Sequence, residues 1–166
     1  MLKLLSVMVM SLLFIGCTAG KSPHAESSMF QTVTPELATL VQDAYEKNTC
    51  YMCGMDLVKH YKTNHSATYG NKKYQYCSLH CFEDHLGQGI TLKNPKVVDV
   101  ASLGFINVAD AYYVVGSKKR GTMSRVSKYA FLKEEDAKKF NSINGGLIMD
   151  FNGARKKAQE DFKYYK

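Results

Sequence analysis

Six residues, Cys50-Tyr51-Met52-Cys53-Gly54-Met55, hold two thiols and two thioethers. Sulfur donors of this kind select soft ions such as Cu(I), whereas carboxylates and water select hard ones. Further along, Cys77-Ser78-Leu79-His80-Cys81 supplies two more thiols. C-x2-C and C-x3-C, separated by 23 residues, fit a four-thiolate zinc site. An even number of cysteines in an oxidising compartment also fits two disulfides. A CxxC pair can serve thiol–disulfide exchange, but such pairs open a helix after a strand, which lowers the thiol pKa. Here Gly54 and the β-prone Leu57-Val58 follow instead, which disfavours an oxidoreductase.

Two other residues offer soft or borderline donors. His60 lies seven residues after Cys53, and its imidazole suits copper. Met123 closes the basic, glycine-bracketed stretch Gly116 to Ser124 and has no apolar residue on either side. A methionine there can fill a gap or act as a weak sulfur ligand. With 55–61 read as a strand, alternation puts Met55 and His60 on opposite faces, out of reach of one ion.

The elements that must position these donors follow from periodicity. Thr34-Pro35-Glu36 gives a cap, a helix-starting proline and an early acid, which predicts a helix over 35–47. From residue 55 onward the chain reads as two β, β, α, β runs. The first has strands at 55–61, 66–69, 73–76 and 97–100, a hairpin at Gly70-Asn71, and a helix over 78–86. The second has strands at 112–115, 126–131 and 147–151 and a helix over 134–141, stopped by Asn144-Gly145-Gly146. Both enter their helix from an aromatic strand, as in Tyr74-Gln75-Tyr76 and Tyr129-Ala130-Phe131. An amphipathic helix over 152–164 ends the chain. The expected class is α+β, with two small ββαβ halves at about 50–101 and 105–151 and flanking helices at either end.

The first 16 residues carry one charge, Lys3, and an apolar run from Leu4 to Gly16. That run is too short to span a bilayer as a helix and has the pattern of a secretory signal. Leu13-Phe14-Ile15-Gly16-Cys17 resembles a bacterial lipobox, so Cys17 is expected to be lipidated and to begin the mature chain. Residues 17–33 read as a flexible tether and 34–166 as the folded domain. Without Lys3 the chain has 21 basic and 15 acidic side chains, a formal +6. For an exported protein this points to anionic lipid or an acidic partner, not to nucleic acid.

Cys53-Gly54-Met55 through His60, Tyr112-Tyr113-Val114-Val115-Gly116-Ser117 leading to Gly121-Thr122-Met123, Ala130-Phe131, and Gly145-Gly146-Leu147-Ile148 follow one another along the chain. Taken together, these segments resemble the NosL family, copper-chaperone lipoproteins of nitrous oxide reductase maturation. The resemblance implies Cu(I) binding without enzymatic activity, and a lipid anchor at Cys17 on the periplasmic side of a bacterial membrane. It also implies delivery toward nitrous oxide reductase or its copper-site assembly machinery. The fold it implies is the paired ββαβ architecture shared with the organomercurial lyase MerB. Carried over by position, the ligands fall on Cys53 and Met123, with His60 or Met55 as a third. Cys50, Cys77 and Cys81 resemble a TRASH-type metal-binding motif instead. They leave open a zinc-binding structural or metal-sensing module built on Cys50, Cys53, Cys77 and Cys81.

Overall fold

His65–Tyr69 (β1) and Lys72–Tyr76 (β2) form a hairpin closed by two residues, with Gly70 at φ 58 supplying the positive angle that a tight hairpin turn needs. The computed structural model describes residues 29–42 and 47–162. After β2 come α1 (Leu79–Gly87), β3 (Lys93–Val98) and β4 (Phe105–Asn107). These strands make an antiparallel sheet in the order β2-β1-β3-β4. The second half repeats the plan with β5 (Tyr112–Val115), β6 (Lys128–Phe131), α2 (Glu134–Asn144) and β7 (Leu147–Met149), in the sheet order β6-β5-β7. A final helix, α3 (Phe151–Asp161), starts at Asp150, whose side chain accepts the Gly153 N–H.

The sheets meet where Asp99 bridges Ala130 in parallel. The main core spans both halves: Tyr76, Leu79, Phe82 and Val97 from the first pack with Tyr113, Ala130, Ala154 and Ala158 from the second. A smaller cluster of Val114, Tyr129, Phe131, Ala137 and Phe140 lies under α2, with Phe30 against it. Among the described residues no helix is long and apolar enough to cross a membrane.

The α+β class and the two ββαβ runs agree with the sequence reading, and three local expectations do not. The helix expected over 35–47 stops after one 3-10 turn, Pro35–Leu37. Thr39 N–H then donates to the Tyr61 hydroxyl and Val41 N–H to Gln75 Oε1, which holds the backbone extended. The strand expected at 55–61 is a series of turns ending in a 3-10 turn, Tyr61–Thr63. Leu57 there is fully buried, and Asn64 Nδ2 donates to the carbonyls of Leu57 and His60, a local pattern that competes with a ladder. Of the tether expected over 17–33, residues 17–28 lie outside the described residues and the part from Met29 onward is packed: Gln31 is buried, and Phe30 meets Tyr129 edge-on and Phe140 at a tilt.

Candidate metal centre

Residues 48–57 fold back on themselves. Cys50 N–H donates to Met55 O, Leu57 N–H to Asn48 O and Gly54 N–H to Cys50 O, all at 2.8–2.9 Å. Gly54 at φ 73 makes the turn that lets Cys50 and Cys53 point the same way. Tyr51 N–H donates to Gln75 O, docking this loop on β2. At the far end of β2, Cys77 leads into α1, and the Ser78 hydroxyl caps that helix by accepting the Cys81 N–H.

The four sulfurs therefore meet at one corner, all within 4.8 Å of one another. Cys53 Sγ is 3.6 Å from Cys77 Sγ, which is 3.7 Å from Cys81 Sγ. A tetrahedron with metal–sulfur bonds of about 2.3 Å has edges of about 3.8 Å, so the spacing fits a soft or borderline ion. All four are free thiols, so of the two arrangements the spacing allowed, the structure has the four-thiol cluster and not the pair of disulfides. Cys50, Cys77 and Cys81 are buried and Cys53 is exposed. Hydrogen bonds from Cys53, Cys77 and Cys81 hold the Cys50 thiol far below the ordinary range. The Cys77 and Cys81 thiols are pushed far up by Cys50 and Cys53 and by burial. Negative charge on one sulfur thus opposes ionisation of these two, and a cation at the centre relieves that opposition.

Next to this corner is an open cleft of about 660 Å³ lined by Met29, Met55, His60 and Met123. His60 Nδ1 is buried with no hydrogen-bond partner among the described residues. Burial, and then the charge of Lys59, push the imidazole pKa down, so the ring is neutral at neutral pH and keeps a lone pair to offer. Met123 is 39% exposed and holds a left-handed φ of 57, which a non-glycine residue adopts at a cost. Gly121 fixes that loop, because a Cβ there would sit 2.5 Å from the Ser124 carbonyl oxygen. The corner and the cleft share a support: the Thr63 hydroxyl donates to Cys77 O at 2.7 Å and lies 2.8 Å from Thr122 Oγ1, beside Met123.

The structure therefore sorts the sequence candidates into two groups. Cys53 joins Cys50, Cys77 and Cys81, whereas Met55, His60 and Met123 share the cleft, which Cys53 does not line. Met55 connects the groups, two residues from Cys53 and bonded through its carbonyl to Cys50. The expected opposition of Met55 and His60 disappears with the strand that required it. Cys17 lies outside the described residues. Met29 was not legible in the sequence because no periodicity marks it, and it reaches the cleft through the anchoring of Phe30 and Gln31 beside it.

A family model described as NosL matches residues 41–158. Among solved structures the chain is similar to the crystal structure of the copper chaperone NosL from Shewanella denitrificans, with 24% sequence identity and a TM-score of 0.55. That similarity covers 67% of this chain and 92% of the other, and it is a likeness of fold. No curated protein matches the chain.

Proposed function

The chain belongs to the NosL family, and from that premise we propose that it is a non-enzymatic carrier of Cu(I). The observation that carries this reading is the exposed Cys53 on a four-sulfur corner, joined by one short turn to a cleft of thioethers and an unpartnered imidazole nitrogen. Cys53 is the principal ligand, giving up its thiol proton as copper binds. Met123, with Met55 or His60, supplies weaker donors from the cleft side. A low-coordinate site of this kind holds Cu(I) yet lets an incoming thiol or imidazole displace one ligand at a time.

Competition against a Cu(I) chelator tests the assignment. Cys53→Ala is expected to lower affinity by more than about a hundredfold, beyond the 10–100-fold seen when mere supporting residues of metal sites are changed. Met123→Ala is expected to lower it by about tenfold, the small end of that range. Wild-type affinity in both variants rejects the site. The destination we propose is nitrous oxide reductase or its copper-assembly machinery, with Cys17 lipidated and the protein tethered on the periplasmic side of a bacterial membrane. Deleting the gene should leave the reductase copper-deficient, and Cys17→Ser should release the protein from membranes. A fully metallated reductase in the deletion strain would reject that destination.

The sulfur spacing supports a second reading, a closed zinc site at Cys50, Cys53, Cys77 and Cys81 in a structural or metal-sensing module. One equivalent of zinc with all four thiols shielded from alkylation would favour it. Copper bound with Cys53 reactive in the apo-protein would favour the carrier.

A further inference from the structure

The charge around the cleft is one-sided. Lys59, Arg120 and Arg125 line it, and among the described residues no carboxylate does. Lys62 and Lys119 stand beside these, their ammonium groups 4.5 and 5.2 Å from the centre of the same Phe30 ring. Two like charges on one ring repel. The ion pairs among the described residues engage Lys128, Lys138, Arg155 and Lys157 and none of these five cations. Asp56 is the acid whose charge reaches His60, and its Oδ1 accepts the Lys59 backbone N–H.

The frame under these cations is held firmly. The Arg120 carbonyl accepts from Gln31 Nε2 and from the Tyr129 hydroxyl, each at 2.6 Å. Gly121 then fits against Ser124 and Ser127 with no room for a side chain. An ordinary solvated surface mixes charges of both signs. Here five cations are kept close together around a recess that holds thioethers and an imidazole. A surface field of one sign concentrates partners of the opposite sign and speeds their encounter.

We propose that the rim of Lys59, Lys62, Lys119, Arg120 and Arg125 docks a protein partner through an acidic surface, placing a partner side chain at the mouth of the thioether cleft. This deepens the carrier reading by naming the chemistry of the recipient, and it rests on that reading for the purpose of the contact. A planar lipid headgroup layer offers negative charge but no side chain to enter the recess, whereas an acidic protein loop offers both.

The test uses the full chain, free of metal, with two labelled peptides: one methionine flanked by glutamates, and the same peptide with lysines. Binding is read by fluorescence anisotropy from about 20 mM to about 1 M salt, over which the screening length falls to about 3 Å. The glutamate peptide should bind and weaken at least tenfold over that range, and the lysine peptide should not bind. Lys119→Glu combined with Arg125→Glu should cost the glutamate peptide at least tenfold. Lys72→Glu with Lys93→Glu, exposed and outside the cleft, should stay within twofold. Circular dichroism checks folding, and the single exposed change Lys59→Glu, expected to cost about threefold, replaces the double variant if that does not fold. Equal binding of the two peptides, or wild-type binding by the rim variants, overturns the proposal. So does rim-dependent capture by phosphatidylglycerol vesicles with no peptide preference, which would make this a membrane face. Because no copper is used, failure to bind Cu(I) would reject the carrier reading alone, and loss of peptide preference in a Cu(I)-binding protein would reject the docking alone.

Discussion

β2 runs into α1 through Tyr76-Cys77-Ser78, and β6 runs into α2 through Phe131-Leu132-Lys133, with the helices beginning at Leu79 and Glu134, 55 residues apart. In the first corner Cys77 and Cys81 are buried. At the equivalent places in the second, Leu132 is exposed and Asp136 is partly so. Phe82 and Ala137, also equivalent, are both buried against their sheets. The frame thus forms with or without sulfur at this turn. The second half fills its interior with Phe30, Tyr129, Phe131 and Phe140, while the first commits its corner to thiols, which pack as small apolar groups but also ionise and bind metal. The hairpins differ in the opposite sense. The first closes in two residues, Gly70-Asn71, and the second takes the loop 116–127, which carries Met123. The strand–helix corner of one half carries thiols and the hairpin loop of the other carries Met123, and Thr63 links the two, donating to Cys77 O and lying 2.8 Å from Thr122 Oγ1.

If the halves divide their work in this way, damage to the aromatic cluster should cost stability and spare the metal chemistry. Phe140→Ala is expected to lower unfolding free energy by about 3–4 kcal/mol in urea, with Cu(I) affinity within about twofold of wild type. A proportional loss of affinity would show that the corner depends on the second core and would break the comparison.

Acid should act on the opposite side. His60, His65, His80 and His85 all belong to the first half and none to the second. His65 is fully buried, its Nε2 3.1 Å from the Tyr113 hydroxyl, and burial pushes its pKa down to about 4. The unfolded chain therefore takes up the proton first. Stability is complete above about pH 6.5 and falls as pH drops toward 4, by about 3 kcal/mol in full. Hydrogen exchange on the metal-free protein at pH 5 should show β1, β3 and α1 opening before β5, β6 and α2. The reverse order would contradict the assignment of the acid-sensitive groups.

The smallest expected effect separates the two hairpin loops. Gly121→Ala must displace the Ser124 carbonyl and is expected to cost about 2 kcal/mol. Gly70→Ala meets no atom within 4 Å and loses only the ease of a positive φ, about 1 kcal/mol. Thermal melts of the two variants rank them. A Gly121→Ala protein as stable as Gly70→Ala would mean that the Met123 loop is not held by close backbone contact.

From β1 onward local pattern placed most of the regular elements, though not β4, and it failed at 35–47 and 55–61. A β-prone run placed β5 at Tyr112–Val115, and an aromatic strand leading into each helix placed α1 and α2. The sulfur-rich segment and its order relative to Met123 also carried the family resemblance. What the sequence left open was which donors meet. The turns at 55–60 exist because Leu57 is drawn into the core and Asn64 bonds back across them, and only then can Met55 and His60 face Met123. Cys53 falls among three other thiols because its neighbour Tyr51 docks on Gln75 of β2, a residue remote in the sequence. Periodicity records which face of an element is apolar, a property of adjacent residues. Convergence of side chains depends on how distant elements pack, and no spacing along the chain encodes that.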